Sequence, residues 1–428
     1  MPQLTVISFE VNNRRKADAV RLAKPRRPVR IMATDNSIAI IGDGVGGLIT
    51  FAILQHNRFP ANSITIYGES PQPLATLATC VRAIGQERMR SESSGHLNPL
   101  DFPGLSFAES WQKKSPLPLL TSLCDAYNPS FDLLIAQSEK LAKQTGFFER
   151  KVSKKIQRIT RRDDSHFVLY DESDEEIGVA RHVILSLGHA DFAWGPIPQV
   201  WREHPRLRHA YHAHSFKEGE RVTIIGNGMT AAHLWIKALG AGAGVTVLHR
   251  HPLQHQRLNA ARCMFSGVGI EAYQQFNFEE RRNFLRGLGE GTFPWNWEWE
   301  KTLGEARQQR RLMSMRDELQ TIEESSQGSL KLKLASGASL ETDSLICATG
   351  FQIAPQAYPL IENVLRTYEA RTESGNLFVT DDFNLTPLSR EKSVCGVVGA
   401  LARWALPIAD TFVGIKYAAR RLAPQLRA

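Results

Sequence analysis

The chain has 428 residues, of which 42% are hydrophobic, and its 52 basic against 44 acidic residues give a net charge of +8. This length and apolar content predict two or three domains and exclude a disordered chain, collagen or a small disulfide-bonded scaffold. Residues 1–34 hold eight basic and two acidic side chains, or +6 of the +8. The remaining chain is nearly neutral, so we expect no nucleic-acid groove in it.

The basic arm of residues 1–34 is either a solvated extension or a segment for an anionic partner. The only apolar window near membrane length, residues 37–54, contains Asp43 and four glycines and favours a strand, turn and helix over a membrane span. We expect no signal peptide before it, because the preceding residues lack a charged segment followed by an apolar one. The five cysteines have no CxxC spacing, which excludes a zinc ribbon or redox pair and predicts buried thiols of a cytoplasmic protein. They are Cys80, Cys124, Cys263, Cys347 and Cys395.

The first motif in chain order is a glycine-rich turn. An apolar strand at residues 37–41 runs into GxGxxG, and an apolar helical stretch follows. In this context the first glycine permits a tight turn, the second lets a pyrophosphate approach, and the third lets helix and strand pack closely. A second strand ends near Glu69, which we expect to bind a ribose hydroxyl. The motif glycines are Gly42, Gly44 and Gly47.

The same pattern returns in the middle of the chain, where a strand at residues 221–225 opens into GxGxxA and a second strand follows at residues 245–248. Each half then shows an alternating segment, a turn and an apolar strand that closes on a glycine, Gly188 or Gly350. This repetition predicts an α/β fold with two Rossmann-like dinucleotide-binding domains. The second motif consists of Gly226, Gly228 and Ala231.

Two dinucleotide sites in one chain suit hydride transfer from a nicotinamide to a flavin. The order of GxGxxG, GxGxxA and a late Ala-Thr-Gly-Phe run resembles that of flavoproteins with two dinucleotide-binding domains. The resemblance covers about residue 35 to the C-terminus. It implies FAD at the first site, NADPH at the second, and cofactor contacts at Gly188, Thr349 and Gly350. It also implies an inserted NADPH domain, with boundaries at 35–218 (FAD domain, first part), 219–345 (NAD(P)H domain with a helical insert) and 346–428 (FAD domain, completion).

Within that group, the missing cysteine pair excludes glutathione-reductase-like members. The window 206–216 is similar to the FxGxxxHxxx[FYW] fingerprint of flavin-dependent monooxygenases: His212 and Phe216 match, whereas arginines replace the Phe and the Gly. Two other interpretations of His209, His212 and His214 stay open. They are loop histidines that bond the backbone, or they form a metal site; we expect no metal, because no carboxylate or cysteine lies nearby.

The residues after the second strand of the second half favour NADPH over NADH. Arg250 and Arg257 lie there without a carboxylate, and a planar guanidinium suits the 2′-phosphate that NADPH adds. NADPH-dependent relatives also carry an arginine at this place. A solvated basic loop is the alternative interpretation.

The flavin ring is expected beside the segment that follows residue 82, where relatives place it. We assign Arg90 to the cofactor, and Ser93, His96 and Asn98 to catalytic hydrogen bonds, with turn formation as the alternative for these three. Relatives carry Gly-Asp near the C-terminus where this chain has Gly399 and Ala400. A helix predicted from about residue 407 to 417 would point its N-terminus at the flavin.

The segment between Arg257 and Leu330 predicts a largely helical insert with Trp295, Trp297 and Trp299, which pack in a core or line a substrate pocket. We expect an FAD-containing, NADPH-dependent monooxygenase of a small amine or sulfur nucleophile. In such enzymes O2 forms a C4a peroxide on the flavin. The alternatives are an NAD(P)H:acceptor reductase without oxygen insertion and a non-catalytic flavin-binding protein.

Overall fold

The computed structural model describes residues 37–89, 105–123, 127–252, 254–255, 260–288, 292–293, 297–326 and 328–427. The side chains of residues 254–255, 292–293 and 297–298 are not described. Several residues named above lie outside the described set: the basic arm, Arg90, Ser93, His96, Asn98, Cys124, Arg257 and Trp295.

The described residues form twenty β-strands. These are β1 (Ile38–Ile41), β2 (Ile64–Tyr67), β3 (Lys151–Val152), β4 (Arg158–Arg161), β5 (Phe167–Tyr170), β6 (Glu176–Ala180), β7 (His182–Leu185), β8 (Leu207–His209), β9 (Arg221–Ile225), β10 (Gly244–His249), β11 (Gln254–His255), β12 (Thr292–Phe293), β13 (Leu312–Arg316), β14 (Leu319–Glu324), β15 (Leu330–Leu334), β16 (Ser339–Thr342), β17 (Ser344–Cys347), β18 (Thr372–Glu373), β19 (Asn376–Leu377) and β20 (Cys395–Val397).

The same residues form eleven α-helices. These are α1 (Val45–His56), α2 (Ala75–Ile84), α3 (Leu105–Lys113), α4 (Leu117–Leu123), α5 (Phe131–Thr145), α6 (Met229–Gly240), α7 (Gly267–Gln274), α8 (Phe278–Gly287), α9 (Trp297–Gln308), α10 (Pro359–Tyr368) and α11 (Phe412–Leu422).

Two five-stranded parallel sheets organise the fold, with strand orders β20-β7-β1-β2-β3 and β13-β10-β9-β17-β8. In each, the strand before the glycine turn lies between its second strand and its closing strand. A three-stranded antiparallel sheet belongs to each half, β4-β5-β6 in the first and β14-β15-β16 in the second. All strands of the second parallel sheet lie between β7 and β20 in sequence, the order that an inserted domain requires.

The central strands of the parallel sheets are mostly apolar and buried because helices or a second sheet cover both faces. Every residue of β1 and β7 is buried. Helix α11 packs against α1, and Trp235 of α6 lies in the core of the second half. Strand β15 covers the other face of the second parallel sheet. It alternates buried leucines with exposed lysines, as its sequence predicts.

The structure corrects three predictions. The C-terminal helix begins at Phe412 rather than near Pro407, because the Thr411 hydroxyl accepts a hydrogen bond from the Gly414 amide (3.1 Å) and caps it. The insert is helical only to Gln308, after which β13 extends the parallel sheet through its pairing with β10. Of the described cysteines, Cys263 is exposed, because its short 3₁₀ turn lies at the surface, while the other three are buried.

The helices in the described part of the chain lack the combination of length and apolar character that crossing a membrane requires.

Two buried histidines, in their neutral form, form hydrogen bonds to the backbone of neighbouring segments. His182 and His209 are buried, and His182 Nδ1 accepts a hydrogen bond from the Val394 amide at 3.1 Å, which joins β7 to the start of β20. His209 Nε2 lies 3.2 Å from the Ala193 carbonyl oxygen. Burial lowers the pKa of His182, His209 and His214 to about 4.

We expect the free energy of unfolding to decrease as the pH falls from about 6.5 to about 5, because the unfolded chain binds protons that these folded-state histidines exclude. Above that window their contribution is constant. Thermal melts between about pH 8 and about pH 5 measure the slope. His209→Gln keeps a side-chain donor for Ala193 but cannot titrate, so its slope should be shallower. An equal slope in both proteins would show that His209 does not contribute.

Candidate functional site

A cavity of about 470 Å³ joins the two glycine turns. Residues 42–46 of the first turn and residues 186–189 after β7 line one side. Met229 and Thr230, at the start of α6, line another, and residues 410–413 before and within α11 complete the wall. The structure therefore brings together two motifs that lie far apart in the sequence.

The three glycines of the first turn have different physical roles. Gly42 has a φ of +111°, and a Cβ there would lie 2.0 Å from the Ser186 carbonyl oxygen. A Cβ at Gly47 would lie 2.1 Å from the Gly42 carbonyl oxygen. At Gly44 the nearest atom to an added Cβ is the Pro73 carbonyl oxygen, 3.8 Å away. The first and third glycines thus allow the turn to form, and the middle one leaves space for a phosphate.

The second turn repeats this arrangement. A Cβ at Gly226 would lie 2.4 Å from the Ala348 carbonyl oxygen, and one at Gly228 would have nothing within 4 Å. Ala231, at the third position, is fully buried against the core of this half. The space for a phosphate is again at the middle glycine.

The helices that follow both turns begin without a side-chain cap. Gly44 and Gly228 occupy the N-cap positions of α1 and α6, and neither helix has an acidic residue in its first turn. Four other helices are capped by side chains, namely Ser130, Ser266, Asn277 and Thr411. Uncapped amides that face open space fit the phosphates of a dinucleotide.

The strand register shows that Glu69 and Arg250 occupy equivalent places. Ile41 pairs with Tyr67, and Ile225 pairs with Leu248, directly before the first glycine of each turn. Glu69 and Arg250 each follow two residues later, and both are exposed. A carboxylate suits ribose hydroxyls, whereas a guanidinium suits a phosphate.

The closing strands contribute unequally to the cavity. Gly188, with a φ of +66°, lines it. In the second half, Thr349 uses its hydroxyl to donate to the Ala193 carbonyl oxygen. Of the late Ala-Thr-Gly-Phe run, Phe351 is the residue that lines the cavity.

The histidines of the fingerprint window bond to the backbone. His214 Nε2 lies 3.0 Å from the His209 carbonyl oxygen and 3.1 Å from that of Ala210. The His209 ring stacks on Phe192, with ring centroids 4.5 Å apart. These contacts support the interpretation of backbone-bonded histidines and account for both side chains.

Sequence reasoning missed an aromatic stack in the cavity. The ring centroids of His189 and Phe351 lie 4.6 Å apart, as do those of Phe351 and Tyr211. The Tyr211 hydroxyl is 2.9 Å from Thr230 Oγ1, in the first turn of α6. The stack therefore leads from the first half of the molecule to the second glycine turn.

A titratable pair was also missed. His189 Nε2 lies 4.0 Å from Asp410 Oδ2, and both residues line the cavity. Burial lowers the pKa of His189. The negative charge of Asp410 opposes this decrease in pKa, and the positive charge of Arg403 adds to it. No local sequence pattern marks this pair, because the two residues come from loops more than two hundred positions apart.

The remaining candidates divide between cavity and core. Gly399, Ala400 and the first residues of α11 line the cavity. The N-terminus of the predicted C-terminal helix therefore faces the cavity, although the helix begins later in the sequence than predicted. Trp299 packs edge-on against His233 of α6, with centroids 4.8 Å apart. Of the two predicted uses of this tryptophan, the structure supports core packing.

No family model and no curated protein sequence matches the chain. Solved structures share its fold at low identity. Ornithine hydroxylase (PvdA) from Pseudomonas aeruginosa is 15% identical with a TM-score of 0.67, covering 92% of this chain and 99% of that one. Ornithine N-hydroxylase KtzI of Kutzneria sp. 744 is 12% identical, with a TM-score of 0.71 and the same coverage.

Bacillithiol disulfide reductase (YpdA) from Bacillus cereus is also similar, at 14% identity and a TM-score of 0.58, covering 92% of this chain and 99% of that one. The chain thus has the fold of flavin-dependent monooxygenases, which this reductase shares. The predicted α/β class with two Rossmann-like units is confirmed.

We expect Gly44→Val to fold but to lose FAD, because its side chain enters the space at the middle of the first turn, where a Cβ would contact only the Pro73 carbonyl oxygen at 3.8 Å. The measurement is the flavin-to-protein ratio after purification and after added FAD. Gly228→Val is the matched control, which should keep FAD and lose NADP⁺ binding. Retention of FAD by Gly44→Val would contradict the assignment of the first turn.

Proposed function

We propose that the protein is an FAD-containing, NADPH-dependent monooxygenase that acts on a small nucleophilic substrate with O2. The observation that carries the proposal is a cavity lined by Gly42 and Gly44 of the first glycine turn and by Met229 and Thr230 of the second motif. Two dinucleotides bound there bring their reactive rings together. The four described cysteines are free, so this part of the chain offers no disulfide to carry electrons onward.

The first turn would hold FAD and the second NADPH. The uncapped amides of α1 would bind the FAD pyrophosphate, Glu69 its ribose, and the N-terminus of α11 the flavin end. The start of α6 and Arg250 would bind NADPH. When bound, FAD supplies the redox chemistry that accepts a hydride from NADPH and reduces O2.

The residues of the cavity provide what that chemistry needs from the protein. Val81, Ile84, Met89 and Phe265 line it with apolar surface, which excludes water from the reacting groups. His189 is neutral at pH 7, since burial lowers its pKa. Its unprotonated ring nitrogen can accept a hydrogen bond from an amine substrate, whose unprotonated form is the nucleophile, and Asp410 Oδ2 lies 4.0 Å from His189 Nε2.

An amine is the favoured substrate class. The neighbouring structures PvdA and KtzI are ornithine hydroxylases, and another neighbour is an L-lysine 6-monooxygenase from Pseudomonas syringae. A sulfur nucleophile is the other member of the proposed class.

The free thiols, three of which are buried, favour a cytoplasmic protein. We propose an anionic surface as the partner of the basic arm of residues 1–34.

The test is product analysis by mass spectrometry after incubation of the FAD-loaded protein with NADPH, O2 and ornithine, lysine, a diamine or a thioether. We expect a product that has gained one oxygen atom, with NADPH consumed in proportion. The Gly44→Val variant, which we expect to lack FAD, is the negative control. Fast reduction of artificial acceptors without an oxygenated product would establish a reductase instead, and absence of turnover would establish a non-catalytic flavin protein.

Arg250→Ala should raise KM for NADPH by about 10- to 150-fold, the equivalent of about 1.5 to 3 kcal/mol for a hydrogen bond to a charged group. NADH should be nearly unaffected, because it lacks the 2′-phosphate. Steady-state kinetics with both nucleotides decide this. Equal losses for NADPH and NADH would show that Arg250 has a structural role only.

A further inference from the structure

The two glycine turns differ at the residue between their first and second glycines, which is Asp43 in the first and Asn227 in the second. Both side chains fasten the turn to the loop that follows the second strand. Asp43 Oδ2 accepts a hydrogen bond from the Ser70 amide at 2.9 Å, and Asn227 Nδ2 donates to the His251 carbonyl oxygen at 3.1 Å. Ser70 and His251 are equivalent, since each lies three residues after the strand residue that pairs in register with the end of β1 or β9.

In the first half this arrangement neutralises a cation. Lys151 of β3 lies with its Nζ 2.7 Å from Asp43 Oδ2, and the two side chains are only 14% and 7% exposed. The same ammonium donates to the Ser70 carbonyl oxygen. The third strand therefore adds no free positive charge to the first loop, which presents Glu69.

In the second half the third strand adds a positive charge that forms no ion pair with a carboxylate of the described residues. Arg316 ends β13, pairs in register with His249, and donates from Nε to the Arg250 carbonyl oxygen at 3.2 Å. Its side chain and that of Arg250 are exposed. In the described parts of the chain, the ion pairs include neither arginine.

The loop that carries Arg250 is held in place before any ligand binds. His249 Nδ1 lies 2.8 Å from the His251 carbonyl oxygen, and His249 Nε2 lies 2.8 Å from Ser314 Oγ on β13. Asn227 and Arg316 donate to the carbonyl groups of consecutive residues, 251 and 250. Asn227 and Arg316 therefore contact adjacent residues of the loop, and a carboxylate at residue 227 would lie next to the residue that Arg316 contacts.

We propose that Arg316 and Asn227 determine the choice of NADPH over NADH, Arg316 as a second guanidinium for the 2′-phosphate and Asn227 by leaving that guanidinium without a counter-ion. The inference rests on the proposed function, which places NADPH at the second turn. A guanidinium on a preformed loop and a second one at the end of β13 can bind a phosphate without the cost of ordering the backbone that carries them. The first turn, with Asp43 and Lys151 paired, suits a dinucleotide whose ribose has only hydroxyls.

The test compares 2′,5′-ADP with 5′-ADP by calorimetry on the FAD-loaded full chain, because these probes differ only in the phosphate at issue. We expect Arg316→Ala to weaken binding of 2′,5′-ADP by about tenfold or more, the scale of a hydrogen bond to a charged group. Binding of 5′-ADP should not change. Asn227→Asp should reduce the preference in the same direction, and its melting temperature shows whether the loop survives the change.

Arg310→Ala is the matched control, since Arg310 is an exposed arginine that precedes the opposite end of β13. It should leave both affinities unchanged. If Arg316→Ala keeps the wild-type preference for 2′,5′-ADP over 5′-ADP, the inference is overturned. An equal loss of 2′,5′-ADP affinity in Arg310→Ala would also overturn it, because this loss would indicate general charge attraction. If the wild-type protein does not prefer 2′,5′-ADP, the assignment of NADPH to the second turn fails instead.

Discussion

Both halves of the molecule depend on a close approach between a backbone carbonyl and a residue without a side chain. The Ser186 carbonyl oxygen occupies the space of a Cβ at Gly42, and that of Ala348 does the same at Gly226. This contact sets the closing strand against the glycine turn, which in turn fixes where the following helix begins. The uncapped amides of α1 and α6, and the cavity that they share, follow from the two contacts.

Much of this architecture could be predicted because its signals are local. The glycine turns, the apolar strands before them and the alternating Leu-Lys pattern of β15 each lie within a few residues of sequence. Strand β13 gave no such signal, since its sequence does not alternate and its pairing with β10 is long-range. The start of α11 was misplaced because the Thr411 cap, rather than Pro407, determines it.

The cavity itself could not be predicted, because its side chains come from separate segments that only the tertiary fold assembles. His189 follows β7, Tyr211 follows β8, Phe351 follows β17 and Asp410 precedes α11. Their stacking and pairing create a polar and aromatic lining with no sequence motif. The two turns are alike in backbone yet different in charge, so one repeated supersecondary unit provides two sites that suit different dinucleotides.

The visible absorbance of the FAD-loaded protein, followed after anaerobic mixing with NADPH, tests most directly whether the two turns serve one cavity. We expect the oxidised-flavin band to disappear with about one equivalent of NADPH, because the nicotinamide and flavin rings would meet between the turns. A flavin band that persists while both nucleotides are bound would contradict a shared cavity, and with it the proposed chemistry.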